Sequence, residues 1–269
     1  MRDICLVIKA EIIKQQHHNY HSYFVYFSLL LWPILGFLEI YYTYHPFEFS
    51  GYLGINNSQD LLTFLATGYM TYTCFWSMVQ NAWSMSYQER EGGTLEIAFL
   101  TPANRMAMNY GKALGALIQE VWMFSCFCIF ILFYTDTFSL SNLYLLPICL
   151  SLLVIASTLW GGMLNAVFLF SRDSSLIMDF LDTPMNLFSG AKIPIQCFPL
   201  WAKVISLIFP LTYCLQIIRL ILGIEQQDTT IGTSLFGLVV CFIIMIFLTA
   251  VVTFRVEKHN RETGELNFF

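Results

Sequence analysis

The sequence predicts an all-α integral membrane protein with six spans, and three observations carry that prediction. Of the 269 residues, 57% are hydrophobic and only 12% are charged, with a mean hydropathy of +0.63, too apolar for a soluble domain of ordinary make-up. Uncharged runs such as 61–83 reach the roughly 20 residues that a helix rising about 1.5 Å per residue needs to cross a hydrocarbon core of about 30 Å. Lys and Arg fall on alternate sides of these runs. One side holds Arg2, Lys9, Lys14, Arg90, Arg105, Lys112, Arg172, Arg255, Lys258 and Arg261, and the other only Lys192, Lys203 and Arg219. By the positive-inside rule both termini and the loop 86–105 are cytoplasmic, so the number of spans is even. The net charge of −5 says little by itself.

Residues 1–22 read as an amphipathic helix on the cytoplasmic membrane face, because Ile4, Val7, Ile8, Ile12 and Ile13 recur at helical spacing. Lys9, Glu11 and Lys14 interrupt any secretory apolar core. His17 and His21 share a helix face beside His18, but no third or fourth ligand lies nearby, and a structural metal site usually needs four. No metal is expected.

The membrane-spanning body, 23–254, begins with a span over 24–42 that Pro33 kinks and that Tyr41, Tyr42 and Tyr44 anchor at the outer interface. The second span, 61–83, places Tyr69, Tyr72, Trp76, Gln80 and Trp83 within about a quarter of the helix circumference. Such a face either lines a path for an amphipathic compound or packs between helices. The polar insert that follows is punctuated as helix, joint, helix, stop. Ser86 and Glu89 fit a capping box, Gly92-Gly93 a flexible joint, and Thr101-Pro102 the start of another helix. A short charged helix docked on a soluble partner has this composition, and so does a solvated loop with helical character.

The third span, 113–134, carries Glu120 eight residues beyond Lys112 and so within the hydrocarbon. An acidic residue at that depth costs roughly 2.5–3.5 kcal/mol on the insertion scale, so Glu120 faces protein or water or holds a proton. The fourth span, 143–170, repeats Ser157, Gly161 and Asn165 every four residues, which suits close packing with a polar tie. The fifth, 174–190, has a polar stripe of Ser175, Asp179, Asp182, Asn186 and Ser189 that must look toward a partner helix or a water-filled cavity.

Between 193 and 223, Pro194, Pro199 and Pro210 leave pieces too short to span. Either this segment forms a re-entrant external helical hairpin, or 199–222 is itself the span and 174–190 lies inside. The last span is 234–254, and 255–269 is a cytoplasmic tail. Eight cysteines offer no ligand spacing. Cys197 and Cys214, on the outer side, are permitted but not required to pair.

The loop reads Glu89-Arg90-Glu91-Gly92-Gly93-Thr94-Leu95-Glu96, then Leu100-Thr101-Pro102 and Arg105. A second patch runs from Ser189-Gly190 to Pro194, through Pro199-Leu200-Trp201, to Pro210-Leu211-Thr212-Tyr213 and Arg219. With these ordered motifs, over 61–223, the chain resembles the membrane subunits of type 2 ABC exporters. The resemblance implies an ATPase-coupling role for Glu89, Arg90, Glu91, Gly92, Thr94, Glu96, Thr101 and Pro102. It also implies a central cavity lined by the second span and a fifth span facing its twin, which makes Tyr69, Tyr72, Trp76, Gln80, Asp179, Asp182 and Asn186 the candidate substrate path. It favours the external hairpin.

The implied partners are two copies of an ABC ATPase carrying Mg-ATP, a second permease chain in a homodimer or heterodimer, and membrane lipid, in a bacterial plasma membrane; no nucleic acid is expected. The chain has no G-x-x-x-x-G-K-[ST] loop, since Gly111-Lys112 lacks the upstream glycine, so ATP hydrolysis falls to the partner chain. No internal repeat makes it a two-half transporter, and this chain needs no cofactor. The expected cargo is a drug, peptide antibiotic or lipid-like molecule, or a lipid-linked polysaccharide. A proton-coupled carrier using Glu120, Asp179 and Asp182 is the rival class, and an enzyme lacks a cluster of catalytic side chains.

Overall fold

The structure is a computed structural model that describes residues 2–19, 23–44, 58–101, 103–134, 145–168, 174–222 and 231–263. Among them are eleven α-helices and no strand: α1 (Arg2–Asn19), α2 (Tyr23–Tyr44), α3 (Ser58–Glu91), α4 (Thr94–Leu100), α5 (Arg105–Leu114), α6 (Leu117–Tyr134), α7 (Leu146–Phe168), α8 (Ser174–Phe188), α9 (Leu200–Ser206), α10 (Pro210–Leu222) and α11 (Ile231–Thr263).

Four stretches are long and apolar enough to cross a membrane: Tyr23–Tyr44, Arg105–Ile129, Leu146–Phe168 and Gly232–Arg255. A fifth is reached if α9 and α10, bent by 92° at the residues before Pro210, count as one broken span rather than a re-entrant loop. Two expected spans miss these criteria for opposite reasons. The 15 residues of α8 rise only about 22 Å. The 34 residues of α3 rise about 50 Å, more than enough to cross, but threonines and tyrosines lower the hydropathy.

Those threonines explain how a moderately polar helix occupies the centre. Thr67 donates to Thr63 O (2.8 Å), Thr71 to Thr67 O (2.7 Å) and Thr73 to Tyr69 O (2.8 Å). Each hydroxyl is thus satisfied by the helix's own backbone and presents mainly its methyl group outward. Phe64, Leu65, Met70, Cys74, Phe75, Met78, Val79 and Ala82 then bury α3 on nearly every side. It packs on α7, α5, α6, α2, α10 and α8. On the outside, α2 and α11 expose Phe24, Trp32, Phe236, Ile243 and Phe247, which suits lipid contact.

Close approach between helices follows the small residues. A Cβ on Gly161 of α7 would lie 3.3 Å from Val79 Cα and 3.5 Å from Ala113 Cβ, so this glycine sits where α7 meets α3 and α5. Four residues along, Asn165 Nδ2 donates to Asn109 Oδ1 at 3.1 Å. On α1 the protein-facing side is not the isoleucine stripe. Ile4 and Ile13 are exposed, whereas Glu11 and Gln15 are buried against α5, where Gly111 and Gly115 leave room for them.

Two expectations on local structure are corrected. Ser86–Glu89 does not start a helix, because α3 runs through it unbroken and Lys112 donates to Ser86 Oγ at 2.9 Å. Thr101 ends α4 rather than starting α5, whose N-cap is Asn104, accepting from Ala107 N at 3.1 Å. The eight cysteines are free, with Cys197 exposed and Cys214 buried.

Candidate functional site

The C-terminal ends of α1, α3 and α5 meet at one carboxylate. Glu89 is 5% exposed; Lys112 Nζ of α5 donates to its Oε2 at 2.6 Å, and Lys14 of α1 donates to its Oε1. Lys14 also pairs with Glu11 at 3.6 Å. Burial alone would raise the Glu89 carboxyl, but Lys112 and Lys14 outweigh it and hold the group below the usual glutamate range. Burial likewise disfavours the charged Lys14, and Glu89 and Glu11 overcome it, so its ammonium is held above the ordinary lysine value. Glu11, for which burial wins, sits above the usual carboxylate range. The result is an ionised lock at Glu89 that joins three helices.

The short helix α4 is hung from this lock at both ends. Gly93, at φ +67°, is its N-cap, a left-handed conformation that favours glycine. Thr94 Oγ1 donates to Glu89 O at 3.3 Å. At the other end Arg105 donates to Thr101 O at 3.0 Å and to Ala98 O at 2.7 Å, a carbonyl that Thr101 Oγ1 also reaches. Arg90 reaches sideways, donating to Phe168 O at 2.9 Å, near the C-terminus of α7. Between Lys14, His17 and His18 on α1, Met85, Gln88 and Glu89 on α3, and Thr94 lies an open cleft of 420 Å³.

A second polar contact joins α3 to α8. Tyr72 donates its hydroxyl to Asp182 Oδ1, and Asn186, one turn further along α8, lies beside the same hydroxyl.

The model of the ABC-2 type transporter family matches residues 4–223. The chain belongs to that family. It is therefore a multi-pass membrane protein and a transport permease of an ABC system that works with an ATPase partner. No curated protein matches the chain in a sequence search.

The motif residues of this ABC-2 permease divide by the direction they face. Glu89 and Arg90 turn inward to lysines and to α7, whereas Glu91, Gly92, Thr94 and Thr101 are exposed. Glu96 lies on α4, with its side chain outside the described residues, as Pro102 is altogether. Sequence reading did not single out Ile97, which is 63% exposed on α4. It also missed Lys14 and Lys112 as partners of Glu89. The signal was available in Gly111-x-x-x-Gly115, a small-residue pair that lets α1 settle on α5.

The predicted substrate-path residues separate in the same way. Tyr72, Asp182 and Asn186 come together, whereas Tyr69 turns toward α2 and α6, packing on Phe37 and Phe127 with ring centroids 6.3 and 6.2 Å away. Trp76 is half-buried, and Gln80 and Asp179 are exposed. Trp83 stacks on Tyr87 at 5.3 Å.

Proposed function

We propose that this permease is the membrane subunit of an ATP-driven exporter that moves an amphipathic compound (a drug, peptide antibiotic or lipid-like molecule) out across the plasma membrane. In this reading it has six spans with both termini cytoplasmic, counts α3 and α8 among them, and uses α9–α10 as an external re-entrant hairpin. It works as a dimer, homomeric or with a sister permease, and binds two copies of a separate ATPase that holds Mg-ATP.

The observation that carries the reading is the lock beneath α4. A partner closing on Ile97 and Glu91 pushes a helix hinged at Gly93 and tied by Arg105 to α5. The push passes through Lys112, Glu89 and Lys14 to α3 and α1, because charge-assisted bonds among buried groups resist separation. Carried along α3, it reaches the Tyr72–Asp182 contact, where parting α3 from α8 opens a path whose walls carry Tyr72, Asp182 and Asn186 and, further round, Tyr69, Trp76, Gln80 and Asp179. The aromatic and carboxylate groups suit a cargo with both an apolar body and polar edges.

Purification of the tagged chain in mild detergent from its native cells tests this. An ATPase at near-equal amount is expected with the wild type and lost with Ile97→Asp, while Asp182→Asn retains the ATPase and reduces export at least several-fold. A wild-type chain that captures no ATPase even after cross-linking overturns the reading.

A further inference from the structure

One deep carboxyl has no place in the coupling route. Glu120 on α6 is 0% exposed. Its Oε2 lies 2.7 Å from Ser77 Oγ, and its buried Oε1 has nothing beside it among the described residues but the Cys74 thiol, a weak donor that makes no well-formed hydrogen bond to it. No lysine or arginine pairs with it among the described residues, and Lys112, two turns earlier in sequence, is engaged by Glu89 and Ser86.

The hydroxyl of Ser77 decides how many protons the pair holds. Ser77 Oγ is also 3.0 Å from Cys74 O. A backbone carbonyl only accepts, and a serine hydroxyl has one proton to give. With that proton on Cys74 O, the short contact to Glu120 needs a proton from the carboxyl, so Glu120 Oε2–H donates to Ser77 and every donor is used. An ionised Glu120 would pull the hydroxyl from Cys74 O and leave Oε1 a buried anion with only the weak S–H of Cys74 to offset it, an arrangement that burial penalises.

We propose that Glu120 is a proton-binding site, loaded while α3 and α6 are closed on each other as they are here and emptied when the two helices part. The loaded half stands on the geometry alone; the emptying half rests on the exporter reading, in which α3 moves. Emptying breaks the Glu120 O–H bond, hands the proton to a water entering the seam and leaves a carboxylate, with nothing oxidised or reduced.

The seam is polar enough to admit that water. Asn81 Nδ2 donates to Gln119 Oε1 at 3.1 Å and to Ser77 O at 3.2 Å, and Gln15 Nε2 of α1 donates to Asn81 Oδ1 at 3.0 Å. The string runs from the buried face of α1 to the carboxyl. The titratable group facing Glu120 from α3 is the Cys74 thiol, with Cys128 of α6 behind it. α1 contributes the uncharged Gln15, α2 places Tyr26 on Trp122, and on α5 Lys112 is bonded to Glu89. Among the described residues no fixed charge competes for the proton.

Infrared difference spectra of the full permease–ATPase complex in phosphatidylcholine vesicles, wild type against Glu120→Gln at neutral pH, read the site directly. The stretch of a protonated buried carboxyl is expected in the wild type and absent from E120Q; a carboxylate band in its place overturns the site. Binding a non-hydrolysable ATP analogue is then expected to release one proton per permease chain from the wild type and none from E120Q, with the protonated band lost. A band that survives with the analogue bound overturns the emptying half. A chain that carries no ATPase to bind the analogue overturns the exporter reading, while the resting spectrum still judges the site.

Discussion

Glu89 and Glu120 are buried to nearly the same degree, at 5% and 0% exposure, yet their surroundings give them opposite characters. Glu89 has an ammonium on each oxygen and is held ionised. Glu120 has a serine on one oxygen and, among the described residues, only the weak donor Cys74 beside the other. The first is a strut between helices, and the second is a group whose charge is free to change. Depth alone therefore does not tell the role of a carboxyl in a membrane protein; the number of cations within bonding distance does.

The largest expected effect comes from breaking the strut. Lys112→Met leaves Glu89 with Lys14 alone and Ser86 without its donor, and should cost on the order of 3 kcal/mol, read as a lowered unfolding temperature in detergent. Pairing it with Glu89→Gln should recover part of that loss, because the uncompensated charge is then gone; strictly additive losses would mean that the two residues do not interact.

Next is Gly115→Leu, whose Cβ would fall 1.3 Å from Gln15 Oε1. Displacing that side chain lifts α1 from α5 at a cost of roughly 1–3 kcal/mol. Faster hydrogen exchange over α1 checks it, since Gln15 also anchors the string that leads to Glu120.

Acid should loosen the strut late. Because Glu89 is held below its ordinary value in the folded chain, its contribution is fully present above that ordinary value and disappears only as pH falls through the lowered one. Protection of α1 from exchange should persist at about pH 5 and fade in stronger acid; fading nearer neutrality would mean that Glu89 is not held by the two lysines. The smallest effect belongs to Glu120→Gln. The new amide can donate to Ser77 as the protonated carboxyl does, so stability should change by less than about 1 kcal/mol, whereas Glu89→Gln should change it by more.

The helices, the proline-divided segment and the family were legible in the chain because each is written in local residues. Charge-free runs mark apolar helices, Pro199 and Pro210 mark where α9 and α10 begin, and the ordered motif around Glu89 marks the loop. What was not legible depends on residues far apart. Ser86 and Glu89 look like a local cap, but their donor, Lys112, comes from another helix after a sharp return of the chain. That tertiary bond outweighs the cap, worth about 1 kcal/mol. Arg105 reads as one more surface cation until its two bonds to α4 carbonyls are seen. The aromatic face of α3 was found, but periodicity treats Tyr69 and Tyr72 as neighbours. Their partners divide them, one going to α2 and α6 and the other to α8.

If the lock at Glu89 transmits the stroke, α4 moves with α1 and α5 as one body. Spin labels at Ala98, half-buried on α4, and at Ile13, exposed on α1, measure it in the permease–ATPase complex. On trapping the ATPase with nucleotide, their separation should stay constant while a second pair on α3 and α8, Tyr87 to Phe180, changes. With Glu89→Gln the first distance should broaden. If α4 shifts against α1 in the wild type while Glu89 remains intact, the lock does not transmit the stroke and the coupling route proposed here is wrong.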